Sequence, residues 1–116
     1  MKIAVSSNGG GAGGEISGHF GRCPEFVIFD CENTGIIGVE QVQNPYFKEH
    51  VPDAVPKFIS SLNADVMIAG GMGPRAVEIF GSMGIKVVLG TSGNIKKAVE
   101  AYLSGELVPD ENTCTH

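Results

Sequence analysis

Apolar residues along the chain fall into short continuous runs first and into helical stripes later. Ile3-Ala4-Val5 is a brief β-branched run and predicts a buried strand. Phe26-Val27-Ile28-Phe29 lies within 25–31 and predicts a strand buried on both faces. Asn33-Thr34-Gly35 is a turn signal, so Ile36 to Val42 is expected to return beside that strand as a hairpin. Its polar and apolar positions alternate imperfectly, which fits an edge strand, and Asn44-Pro45 ends it.

The second half alternates. Val55, Phe58, Ile59 and Leu62 recur at helical spacing, with Pro52 suited to the first turn and Asn63 to the C-terminal cap. Pro56 suggests a start displaced inward. Val66-Met67-Ile68-Ala69 and Val87-Val88-Leu89 are continuous apolar strands. Ala76, Val77, Phe80 and Met83 give a second helix, opened by Pro74 and closed by Gly84. Ile95, Ala98, Val99, Tyr102 and Leu103 give a third, capped by Ser92 or Asn94 and stopped at Gly105. The order is βββαβαβα. Strands without alternation that alternate with helices are covered on both faces, so the expected fold is α/β with a mixed sheet.

Composition sharpens this picture at three points. The chain has 116 residues, enough for one domain, expected over 1–107 with a loose polar tail over 108–116. Seventeen residues are glycine, about twice the usual share. The formal charge is −5 and the only adjacent basic pair is Lys96-Lys97, which argues against nucleic acid and anionic membrane as partners. No apolar run approaches a membrane span, and the short N-terminal run is no signal peptide, so a cytoplasmic location is expected. Three cysteines make no disulfide framework.

The glycines concentrate in three stretches: 7–23, Gly70-Gly71-Met72-Gly73 and Gly90-Thr91-Ser92-Gly93. Each follows a strand of the expected sheet, and ligands of open α/β sheets bind beyond those strand ends. Glycine lets backbone approach a ligand, and two stretches open into helices whose free N–H groups favour an anion. Gly70, Gly71, Met72, Gly73, Thr91 and Ser92 are therefore candidate binding residues. Gly71 to Ala76 also matches the G-x-G-x-x-A dinucleotide fingerprint. The acidic residue that fingerprint needs is missing at Leu89-Gly90-Thr91, and Pro74 removes a donor. A small phosphorylated ligand or nucleotide stands as the alternative occupant.

His19, Phe20, Gly21, Arg22 and Cys23 stand together in the first glycine stretch. An imidazole near a thiol is a donor set for soft metals and clusters, and Arg22 and Arg75 could offset an anionic cluster. Cys23 competes with a reading as core residue, and Cys114 and His116 with one as loose tail. Cys31 reads as core. No convergent carboxylate set, nucleophile elbow or C-x-x-C pair is present, so no catalytic function is expected.

Ser17-Gly18-His19-Phe20-Gly21-Arg22, Phe29-Asp30, Asn44-Pro45, Ala69 to Ala76 and Gly84-Ile85-Lys86-Val87 occur in one order. In that order the chain resembles the dinitrogenase iron–molybdenum cofactor biosynthesis family over about 1–107. The resemblance implies a three-layer α/β/α fold of ribonuclease H-like type with a five-stranded mixed sheet. It implies non-enzymatic binding and transfer of a metal–sulfur cluster of Fe/Mo or Mo/Cu sulfide type. It implies His19 as a cluster ligand, cluster donor or acceptor proteins as partners, and a monomer or weak homodimer. Cys23 stands where relatives often have a small residue such as alanine.

Overall fold

The computed structural model describes residues 1–33, 35–48, 51 and 53–107. The expected tail, with Cys114 and His116, and Pro52 lie outside them. Five strands form one sheet: β1 (Lys2–Ser7), β2 (Glu25–Glu32), β3 (Gly35–Gln43), β4 (Val66–Ile68) and β5 (Lys86–Val88). Their spatial order is β3-β2-β1-β4-β5. β1 runs antiparallel to β2 and parallel to β4; β3 is antiparallel to β2, and β5 parallel to β4. The sheet is mixed, with β3 at one edge, as the patterning predicts.

Alternation along each strand builds two cores. Ala4, Phe26, Ile28, Met67 and Val87 face α1 (Ala54–Ser61) and α2 (Pro74–Ser82). Ile3, Val5, Val27, Phe29, Val66, Ile68 and Val88 face α3 (Ile95–Leu103). Three layers follow. The continuous apolar runs are continuous because both strand faces are covered.

Local chemistry sets the helix ends. Asn94 caps α3, its side-chain oxygen accepting from the Lys97 N–H over 2.9 Å; Ser92, the other candidate, does not cap it. Pro56 does not displace the start of α1. It sits buried in the first turn, where no intrahelical N–H is required. Asn63 follows that helix at φ 64°, the left-handed position expected of a cap.

Because β1, β4 and β5 are parallel, their carboxyl ends share one side of the sheet. The segments 8–24, 69–73 and 89–94 leave from that side, and β2 begins there, with Glu25 paired to Ser7.

Candidate functional site

The first glycine segment is ordered by the strand ends it crosses. Ser17 N–H donates to Ser6 O over 2.9 Å, and Ile16 N–H to Gly93 O over 2.9 Å. Gly70 N–H then donates to Ser17 O over 3.0 Å, and Phe20 N–H to Gly71 O over 3.1 Å. The stretch 17–20 therefore runs alongside 70–71, over the ends of β1 and β4. The glycines permit this approach: a Cβ at Gly70 would lie 2.9 Å from both Gly18 Cα and Ser17 O, and one at Gly71 2.8 Å from Gly18 O. Gly70 thus serves close backbone packing.

Beyond this seam lies an open cleft of about 510 Å³, lined by Gly18, His19, Phe20, Gly21, Arg22, Gly71, Met72 and Gly73. His19 and Arg22 are exposed; Met72 is half-buried. The His19 turn is fixed from beneath. The Ser17 hydroxyl accepts from the His19 N–H and donates to the His19 carbonyl, both over 3.2 Å. Phe20 is buried, its ring 5.4 Å from that of Phe80 and 5.9 Å from that of Phe26. An aromatic anchor next to an exposed imidazole fixes the backbone while the side chain faces outward.

The other sequence candidates sit elsewhere. Cys23 is fully buried, its Sγ donates to Phe20 O over 3.2 Å, and it does not line the cleft. Burial pushes its thiol up to about 11 against the pull of backbone hydrogen bonds, so it stays protonated and holds the turn. Arg75 points to a neighbouring pocket of about 280 Å³, where Asp53 takes both ends of its guanidinium over 2.7 Å. Thr91 and Ser92 do not line the cleft; Gly90 N–H donates to Gly70 O over 3.1 Å, so that loop buttresses the second one. The structure brings together His19, Phe20, Gly21, Arg22, Gly71, Met72 and Gly73. It does not add Cys23, Gly70, Arg75, Thr91 or Ser92 to their cleft.

Two residues that hydrogen-bonding patterns single out, but sequence patterning does not, support the site from below. Glu25 accepts from the Ser7 hydroxyl over 2.7 Å, the Gly11 N–H over 2.9 Å and the Gln41 amide over 3.1 Å. Burial raises its pKa, but these three donors outweigh that and leave it below the usual value. Asn44, buried, donates to Cys23 O over 2.9 Å and accepts the Tyr46 N–H over 2.9 Å. A carboxylate opening a strand after a glycine-rich segment was the available signal for Glu25, and Asn44-Pro45 for Asn44.

Among the described residues no carboxylate lines the cleft, and Arg22 is the one arginine or lysine in its lining. Among the described residues no group of three or more His, Cys, Asp or Glu could hold a metal ion. A larger groove of about 1270 Å³ lies between α3 and the β2–β3 hairpin, walled by Ile36, Val39 and Leu103 with Lys96, Glu32 and Glu100. Its lining mixes aliphatic and charged side chains and contains no histidine. No described helix is long and apolar enough to cross a membrane.

Fold and cleft together define a small α/β domain with a glycine-walled opening at the carboxyl ends of its parallel strands. Within that class, the chain belongs to the dinitrogenase iron-molybdenum cofactor family, whose model matches residues 1–105. It is similar to the crystal structure of PH0822, at 33% identity and TM-score 0.84, covering 98% of this chain and 99% of that one. It is also similar to the apo orange protein of Desulfovibrio gigas, at 27% identity and TM-score 0.81, covering 94% and 92%. An uncharacterized protein of Methanocaldococcus jannaschii is 28% identical over 92% of this chain and 89% of its own length.

Proposed function

We propose that the cleft binds an anionic metal–sulfur cluster, of Fe/Mo or Mo/Cu sulfide type, and hands it on without catalysing a reaction. The observation that carries this reading is the placement of His19, exposed on a turn anchored by Phe20, in one cleft with Arg22 and Met72. The donor chemistry fits such a cargo. A cluster brings its own sulfides, so it needs few protein ligands, whereas a bare ion needs several. Imidazole is a donor to soft and borderline metals, and guanidinium and backbone N–H groups hydrogen-bond to cluster sulfur. Among the described residues no lining carboxylate repels an anionic cargo.

An open cleft suits transfer, because the outer side of the cargo stays reachable. The partners of such a carrier are proteins that deliver the cluster and proteins that accept it, in the cytoplasm. The test is anaerobic reconstitution with iron, molybdate or copper plus sulfide. The wild type should become coloured and His19→Ala should lose most of the colour. Equal colour in both proteins would overturn the site, and a melting-temperature rise with a phosphorylated compound instead would favour the phosphate-ligand alternative.

A further inference from the structure

We propose that the Met72 thioether is a second protein donor in the cleft, paired with the His19 imidazole, and that the pair selects a soft monovalent metal such as Cu(I) at the edge of the cargo. The inference rests on the carrier reading for its cargo but on separate geometry for its donor. His19 directly precedes Phe20, and Met72 directly follows Gly71. The hydrogen bond between Phe20 N and Gly71 O, 3.1 Å long, therefore holds the two residues at neighbouring positions on the two walls of one cleft.

The composition of the second wall points the same way. Gly70-Gly71-Met72-Gly73 carries one side chain beyond hydrogen, and that side chain lines the cleft. Met72 is half-buried, with part of its surface on the core beside α1 and α2. Its fixed stem limits the rotamer freedom lost when the sulfur binds a ligand. A thioether is neutral, needs no deprotonation, and prefers soft metals to hard ones. An imidazole beside it makes a mixed nitrogen–sulfur pair. That pair is poor for Mg²⁺ or Ca²⁺, which take oxygen ligands. Any apolar side chain could fill the space against the core; only sulfur adds a donor.

The experiment separates the two roles. Apo protein is titrated anaerobically with Cu(I) against a chromophoric Cu(I) chelator, in a Cys114→Ser background common to all variants. Met72→Leu keeps an apolar side chain of similar size and removes the sulfur. Its melting temperature should match that of the wild type, while its Cu(I) affinity falls at least tenfold. His19→Ala should fall as far, and Zn²⁺ binding should not respond to Met72→Leu. Cu(I) affinity unchanged in Met72→Leu would overturn the inference and assign Met72 to packing alone, as would a wild type that takes no copper from the chelator. Either result, beside a His19-dependent coloured cluster, leaves the carrier reading standing. Met72-dependent copper binding without any coloured cluster would remove the carrier reading and leave the donor pair.

Discussion

The Asn44 side-chain amide donates to the Cys23 carbonyl over 2.9 Å, and so ties the end of β3 to the end of the His19 turn. Its carbonyl oxygen takes the Tyr46 N–H at the same length. Both contacts are local substitutes for water around buried groups. Asn44→Ala leaves the Cys23 carbonyl without its amide donor, which costs about 1–3 kcal/mol. Urea unfolding should show that loss. Asn44→Asp keeps the acceptor for Tyr46 but loses the donor, so its loss should be comparable. A stability within error of wild type for Asn44→Ala would show that the tie is idle.

Gly70 and Gly13 make a matched pair of tests. A Cβ at Gly70 meets backbone on two sides at 2.9 Å, while one at Gly13 meets nothing within 4 Å. Backbone cannot rotate away as a side-chain tip can. Gly70→Ala should therefore destabilise by about 1–3 kcal/mol and distort the cleft, as overpacking does elsewhere. Gly13→Ala should stay within about 0.5 kcal/mol of wild type, as open surface positions do. Chemical denaturation of both checks the contrast, and equal effects would contradict the interlocked seam.

Cys23 should be chemically silent in the native state. At pH 8 a thiol with its pKa at about 11 is ionised in about one molecule in a thousand, and full burial removes access as well. Alkylation followed by peptide mass spectrometry should find Cys23 unmodified in native protein and modified after unfolding. Rapid native labelling of Cys23 would mean that the turn opens.

Acid should weaken the fold through two carboxylates. The pKa values of Glu25 and Asp53 are both held below their usual values in the folded chain. For Asp53 the hydrogen-bonded Arg75 guanidinium is the main cause. A carboxylate with a depressed folded pKa contributes stability above its unfolded value, roughly pH 4, and loses it as pH falls through the folded one. Melting temperatures should therefore drop from pH 6 towards pH 3. Glu25→Gln and Asp53→Asn should each flatten that slope. Arg75 is 74% exposed, so salt should shrink the Asp53 part more than the Glu25 part. A slope that is unchanged in both variants would refute the assignment.

The elements were legible because burial leaves a periodic trace. Val55 to Leu62 and Ile95 to Leu103 mark their helices by spacing alone, and β2 announces itself by four apolar residues in a row. His19 and Met72 were legible as chemistry set among glycines. What their sequence spacing did not carry was contact between distant segments. That Gly70 is needed for the close approach of Ser17 and Gly18 follows from a seam between residues remote in the chain. Arg75 reads as a free cation until Asp53, held at φ 65° before α1, reaches it across the fold. The sequence leaves Cys23 between core residue and metal ligand, and its full burial with Sγ on Phe20 O places it in the core.

The seam between 17–20 and 70–71 has one more consequence. His19 comes from the half of the chain that forms the hairpin, and Met72 from the half that forms the parallel strands. Neither half owns the site. A cargo seated there is a rivet through two plates, so it should resist unfolding of the whole sheet rather than merely quiet a loop. On the proposed carrier reading the same linkage runs in reverse: whatever loosens β4 from β1 would also loosen the grip on the cargo. An acceptor that pulls the two walls apart by a small amount would then lower affinity at both donors at once.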